Sequence, residues 1–234
     1  VQPTPLSEPN LRLRNLLLAL TLAATAMPPA LGQSQSPQAR LNACIERIET
    51  DAEGAYEDAL AWMNFGAPRQ ARYCTALALI GLEQFAEGAI RLEELANADD
   101  GGSLDARRIY LTQAGNAWLL ATAPEAALVA LRNALKLAPR DPEIRKDIGR
   151  AHLLMKSWED AGQAFDEAIE LSTGDAEAYA LRGRALLEMG RLTDAWADVE
   201  AAMAANPSLL DAVVLRGDVR EAMRKAGRPD PVTG

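Results

Sequence analysis

The chain has 234 residues, is 49% apolar and only 5% aromatic, and carries a formal charge of −9. The apolar share is enough for a sizeable core, whereas the acidic balance excludes a nucleic-acid binder, which needs clustered Lys and Arg against phosphate. Sixteen Gly and thirteen Pro are near average, so they punctuate the chain and do not signal low complexity.

The first segment has the organisation of a secretory signal peptide. Arg12 and Arg14 precede an apolar run from Leu16 to Met27, and Pro28-Pro29-Ala30-Leu31-Gly32 follows with small residues at Ala30 and Gly32. This predicts cleavage after Gly32 and a periplasmic or secreted mature chain with no stable membrane anchor. The alternative is an uncleaved anchor, but the run is short and meets Pro28-Pro29 early for a spanning helix. Residues 1–10, with Glu8, form a leader that a signal does not need, and a mis-assigned start is open there.

Residues 33–40 are a polar segment, and residues 41–68 read as N-terminal helices. These break near Thr50-Asp51, resume through Ala55–Met63 and close at Gly66-Ala67-Pro68. Both cysteines, Cys44 and Cys74, lie beyond the leader. An even count in an exported chain allows one disulfide between them. The alternative is two separate buried thiols, since Leu41, Cys44, Ile45 and Ile48 form one helical stripe. A lipid anchor at Cys44, after Leu41-Asn42-Ala43, is a weaker third reading, because it lies well past the apolar run.

Residues 69–102 read as an irregular helix pair, with Ala76, Ala78, Gly88, Leu92 and Leu95 at its small and apolar positions. The stretch from Ala98 to Ser103 is an inserted loop, tolerated at low entropic cost. Three copies of one 34-residue pattern then run end to end, at 108–141, 142–175 and 176–209. Gly115, Gly149 and Gly183 share one register; so do Ala117, Ala151 and Ala185, then Ala127, Ala161 and Ala195, then Ala134, Ala168 and Ala202. Leu131, Phe165 and Val199 hold the large apolar place. Small residues let two helices approach closely, and the large side chain fills the hole beside them. Asp141-Pro142, Pro124 and Ser157 before Trp158 signal helix starts. Residues 210–226 form a single capping helix with Gly217 in the glycine register, and 227–234 are a tail expected to be disordered.

This spacing resembles the tetratricopeptide repeat, a stacked helix–turn–helix array. Departures are Leu111 and Arg145 at the place that usually takes an aromatic, and Thr122 and Lys156 at the mid-turn Gly. The resemblance implies an all-α, right-handed α-solenoid of stacked helix pairs, about eleven helices in all, with a C-terminal capping helix.

No catalytic constellation stands out, so the chain is expected to be no enzyme and to need no cofactor or metal. The single histidine, His152, falls where the first helix meets its partner and is read as a packed residue. The cysteines and His152 offer no ligand pair at short spacing.

Binding is what such an array supplies, because its inner helices line a groove. The family's groove-facing places map to Asn116, Lys146, Arg150 and Arg184, a basic strip in an acidic protein. The strip points to a protein or peptide partner that is acidic or offers a carboxylate. The family's carboxylate clamp is not reproduced, since Thr112, Asp147, Glu177 and Leu181 stand at its other places. The bland alternative is a solvated charged face offset by Glu143, Glu177 and Glu188. The expected function is an exported, non-catalytic envelope adaptor or scaffold in a bacterium. The alternative is a permanent accessory subunit of an envelope assembly, secretion or cytochrome-maturation complex.

Overall fold

The computed structural model describes residues 36–66 and 68–229. The leader at 1–32, residues 33–35 and residues 230–234 of the tail lie outside the described residues, so the expectations placed on them are not addressed by it. Among the described residues every regular element is a helix. They are α1 (Pro37–Ile48), α2 (Ala52–Met63), α3 (Arg69–Gly81), α4 (Phe85–Asn97), α5 (Leu104–Leu120), α6 (Pro124–Leu137), α7 (Pro142–Leu154), α8 (Trp158–Leu171), α9 (Ala176–Glu188), α10 (Leu192–Ala205) and α11 (Leu210–Lys225). Each packs on the next in chain order, and α11 stands alone after the last pair.

Helix starts follow from local chemistry. The Asp141 carboxylate accepts from the Glu143 and Ile144 amides, with Pro142 at the first helical position, and Asp175 accepts from Glu177 and Ala178 in the same way. Ser103 caps α5 through the Ala106 amide. Asp51 accepts from the Gly54 amide, so α2 begins at Ala52, three residues before the sequence expectation of Ala55. Ser157 occupies the cap position of α8, but its hydroxyl makes no capping bond. That start is set by the preceding turn, where the Ser157 amide donates to the His152 carbonyl at 2.9 Å.

The same turn recurs in each helix pair from α3–α4 to α9–α10. Its left-handed residue is Glu83, Thr122, Lys156 and Gly190 in turn, with φ of 61°, 55°, 59° and 74°. The following amide reaches back five residues each time, from Gln84 to Leu79, Ala123 to Trp118, Ser157 to His152 and Arg191 to Leu186. Only Gly190 adopts this conformation without steric cost, and Thr122, β-branched, suits it least.

Packing between helices rests on the shared glycine register. A Cβ at Gly115 would collide with Leu131, and one at Gly149 with the Phe165 ring. At Gly183 it would lie 2.8 Å from Leu215 Cδ2 and 3.2 Å from Asp198 Cβ. The main apolar core runs from α3 to α7 and includes Leu92, Leu95, Leu131 and Ile144. A second joins α9, α10 and α11 through Leu186, Val199, Leu215 and Val219. Phe165 belongs to a small cluster between them with Ala161 and Ala185.

Two devices secure the N-terminal end. Cys44 of α1 and Cys74 of α3 are joined by a disulfide with Cα atoms 6.2 Å apart, beside Leu41, Ala59 and Trp62. The inserted loop is held by Arg107, whose guanidinium donates to the carbonyls of Ala96, Ala98, Asp99 and Gly102. These carbonyls lie at and just beyond the C-terminal end of α4, where the helix supplies no amide partners, and Ala98 also accepts from the Gly101 amide.

Two predictions follow from this packing. Gly183→Leu should cost at least about 1–3 kcal/mol by overpacking the α9–α10–α11 crossing. Glu188→Gln, on an exposed site, should change stability by less than about 0.5 kcal/mol. Urea unfolding of both variants checks this, and equal midpoints would show that the crossing tolerates bulk. Thr122→Gly should raise stability by about 0.5–1 kcal/mol, because relief of left-handed strain outweighs the entropy glycine adds to the unfolded chain. A destabilised variant in the same assay would contradict this.

Candidate functional site

Helices α5, α7, α9 and α11 lie side by side in one layer, with α5 against α7, α7 against α9 and α9 against α11. Because the glycine register is shared, Asn116, Arg150 and Arg184 occupy equivalent positions on the first three of them. Lys146 sits one turn before Arg150 on α7.

The structure brings these side chains together and also supplies their counter-ions. Lys146 is only 4% exposed. Its ammonium lies 2.8 Å from Asp175, 2.9 Å from Glu143 and 3.2 Å from Glu177. Arg150 reaches Asp147 and, one repeat later, Glu177, each at 2.5 Å. Asn116 of α5 stands near enough to Asp147 to favour its ionised form. Arg184 pairs with Asp218 of α11 at 2.8 Å, and both side chains are well exposed. The row is therefore a chain of alternating charges that ties α7 to α9 and α9 to α11.

The titration behaviour follows from burial and pairing. Burial alone would lower the Lys146 pKa, but hydrogen bonds with Asp175, Glu143 and Glu177 override it and push the value up. Burial opposes ionisation of Asp175 and Glu177, yet both are held below the usual carboxylate range. Lys146 and backbone amides act on Asp175, and Arg150 and Lys146 on Glu177. Asp147 goes the other way, since its burial outweighs Arg150 and Asn116.

Beside the charged row runs an apolar one. Leu119, Leu153 and Leu187 are half-buried at equivalent positions of α5, α7 and α9, while Leu120 and Leu154 are exposed next to them. The layer thus offers a polar strip and an apolar strip in parallel, the arrangement that holds an extended peptide or a helix.

Sequence reasoning did not anticipate a second charged cluster on another side of α9. Arg182 grips the buried Asp198 of α10 with two bonds of 2.9 and 2.6 Å and reaches Asp166 of α8 at 2.6 Å. It lines a cleft of about 490 Å³ with Glu159, Asp194 and Arg191. The signal was available in the spacing, because Asp198 lies sixteen residues after Arg182, as Phe165 does after Gly149. His152 is mostly buried, its Nδ1 has no hydrogen-bond partner, and burial lowers its pKa. Among the described residues no group of His, Cys, Asp and Glu is arranged to hold a metal ion, and no helix is long and apolar enough to cross a membrane.

Comparison with known proteins agrees with this geometry. The tetratricopeptide-repeat family pattern matches residues 119–185. MamA 41-end from Desulfovibrio magneticus RS-1 is 16% identical with a TM-score of 0.62, the match covering 74% of this chain and 97% of that one. YrrB, described as a TPR protein with an unusual peptide-binding site, is 17% identical with a TM-score of 0.60, covering 78% and 92%. A further MamA structure is 19% identical with a TM-score of 0.55, covering 64% and 82%. No curated protein sequence matches the chain. The stacked pairs, the shared glycine register and these likenesses together show an all-α fold of the tetratricopeptide-repeat type, with the family pattern itself matched over residues 119–185.

Proposed function

We infer that the chain is an exported, non-catalytic module that holds a protein or peptide partner against the α5–α7–α9 layer. The observation that carries this is the pair of parallel strips on that layer, Asn116, Arg150 and Arg184 beside Leu119, Leu153 and Leu187. A ligand carboxylate meets Arg150 and Arg184, whose side chains are 30% and 37% exposed. Lys146 contributes indirectly by fixing Asp175 and Glu177. Apolar ligand side chains rest on the leucines. The unusual peptide-binding site named for YrrB supports a peptide ligand on this fold. Export rests on the basic-then-apolar leader and its small-residue end at Ala30-Leu31-Gly32.

The ion pairs set the behaviour of such a site. An incoming carboxylate competes with Glu177 for Arg150 and with Asp218 for Arg184, so intrinsic affinity is reduced by the strength of those pairs. The adaptor reading and the permanent-subunit reading differ in stoichiometry. A permanent subunit copurifies with its complex at near-equal amounts, and an adaptor does not.

Two predictions test the reading. N-terminal sequencing of the exported form should begin at Gln33, and that form should show no titratable thiol before reduction, with Cys44 bonded to Cys74. An intact apolar run on a membrane-bound form would contradict export. For binding, a photo-crosslinker at Leu154 should trap the partner from the envelope fraction, and its affinity is then measured by calorimetry. Arg150→Ala with Arg184→Ala should weaken binding by roughly 1–3 kcal/mol per residue. Glu177→Gln, which removes one of the two carboxylates paired with Arg150, should strengthen it. Affinity indifferent to all three changes would mean that the row serves only to join the repeats.

A further inference from the structure

One socket recurs through the array. At Gly115, Gly149 and Gly183 a neighbouring helix fills the space that a Cβ would need. Gly217 holds the same register on α11, and among the described residues nothing lies within 4 Å of its Cβ position. The surface around it is not the polar cover expected of a capping helix. Leu210 is 70% exposed, Val214 48% and Val213 36%. Beyond Gly217 the helix turns basic: residues 210–229 carry five cations, Arg216, Arg220, Arg224, Lys225 and Arg228, against Asp211, Asp218 and Glu221. The outer side of α11 is therefore apolar in its N-terminal half and cationic in its C-terminal half, with Glu221 bridged to Arg224 and Lys225.

Helix α2 carries the reverse pattern. Residues 51–66 hold four carboxylates and no cation. Asp51 and Asp58 are engaged by Arg47 of α1. Glu53 and Glu57 are exposed in the first half of the helix, and Leu60, Ala61 and Phe65 are exposed at its end. Glu53, Glu57, Leu60 and Asn64 recur at three- and four-residue steps, so they share one face. Laid antiparallel on α11 with Leu60 over Gly217, this face sets Glu57 opposite Arg220, Glu53 opposite Arg224 and Asn64 opposite Val213. Antiparallel is also the sense in which the two helices of each pair lie, given their short connecting turns.

We propose that α2 of a second copy docks on the exposed face of α11, seating Leu60 in the open Gly217 socket. The two surfaces are different and lie on different helices, so the contact is head-to-tail and builds chains or rings of protomers. A single helix-on-helix contact is below the size of a standard stable interface, so association is weak and concentration-dependent. The charge complement makes it salt-sensitive. None of the Arg150–Arg184 row takes part, so a failure of the peptide-binding reading leaves this contact untouched.

Sedimentation velocity of the chain from residue 33 tests the contact between roughly 1 and 200 μM, in low salt and in about 0.5 M NaCl. The mean mass should climb above one protomer with concentration in low salt and fall back in high salt. Gly217→Leu fills the socket from within, its Cβ meets no neighbouring atom and leucine favours the helix over glycine, so it should abolish association without lowering helicity or melting temperature. Arg224→Glu should weaken association at least about tenfold, and adding Glu53→Arg to the same chain should restore it. A monomer at every concentration overturns the proposal. Association that ignores Gly217→Leu overturns the α11 socket, and failure of the double charge reversal to restore association overturns α2 as the occupant.

Discussion

The fold depends on one steric fact: a missing side chain at the shared glycine position of the three regular repeats. Gly115 and Gly149 let the next helix bring Leu131 or Phe165 into the space that a Cβ would occupy, and at Gly183 Leu215 of α11 takes that space. Buried alanines such as Ala117, Ala151 and Ala185 keep neighbouring crossings equally tight. At this separation each large side chain is fully surrounded, so burial and dispersion are gained together. No single pair could manage this alone, because half of every helix's apolar stripe faces the next repeat. Stability in such an array is the sum of repeat and junction contributions, and a weak junction is felt locally.

The weakest apolar junction is where the charges collect. The long core of α3 to α7 ends near Ile144 and Ala151, and the α9–α11 core begins at Leu186. Between them the apolar link is mainly Phe165 with Ala161 and Ala185. Lys146, Arg150, Asp175 and Glu177 span this junction on one side of α9, and Arg182 with Asp166 and Asp198 on another. Ion pairs of this kind offset their own desolvation cost only when the geometry is good, so their main contribution is to fix the register between repeats. Arg182 with Asp198 meets that condition, since two parallel hydrogen bonds satisfy a carboxylate that is almost wholly buried. The same charges on the α5–α7–α9 layer are what a ligand must compete with, so register and binding draw on one set of groups.

The repeat period made most of the architecture legible in advance, because the sockets depend on residue size alone. Helix starts at Pro124 and Pro142 were readable because Pro and Asp act locally; Asp175 caps α9 by the same chemistry but was not singled out. What the sequence hid was pairing across repeats. Lys146 reads as a groove cation until Asp175 and Glu177, about 30 positions later, fold against it. The clue lay in the register, since a residue early in one first helix neighbours the middle of the preceding one. The start of α2 was misplaced because the Asp51 cap was read only as a break, and Ser157 was credited with a capping bond that the preceding turn makes unnecessary. The non-glycine residues at Glu83, Thr122 and Lys156 show that the turn tolerates poor local choices when its hydrogen bonds and both flanking helices hold it.

The two ends of the array are secured differently, and that asymmetry shapes its dynamics. At the N-terminal end the core of Leu41, Ala59, Trp62 and Ala71 is small, but the Cys44–Cys74 bond limits how far α1 can leave α3. The C-terminal end has no covalent tie: α11 is held by Ala212, Leu215, Val219 and Met223 on one side and by the exposed Arg184–Asp218 pair on another. In a one-dimensional array a terminal unit opens at the cost of a single junction, and among the described residues α11 lacks the covalent tie that holds α1. Opening α11 empties the Leu215 contact at Gly183 and breaks the last link of the charged row. Arg184 is thus the one member of the row whose counter-ion sits on α11, so its pairing lasts only as long as that helix stays docked.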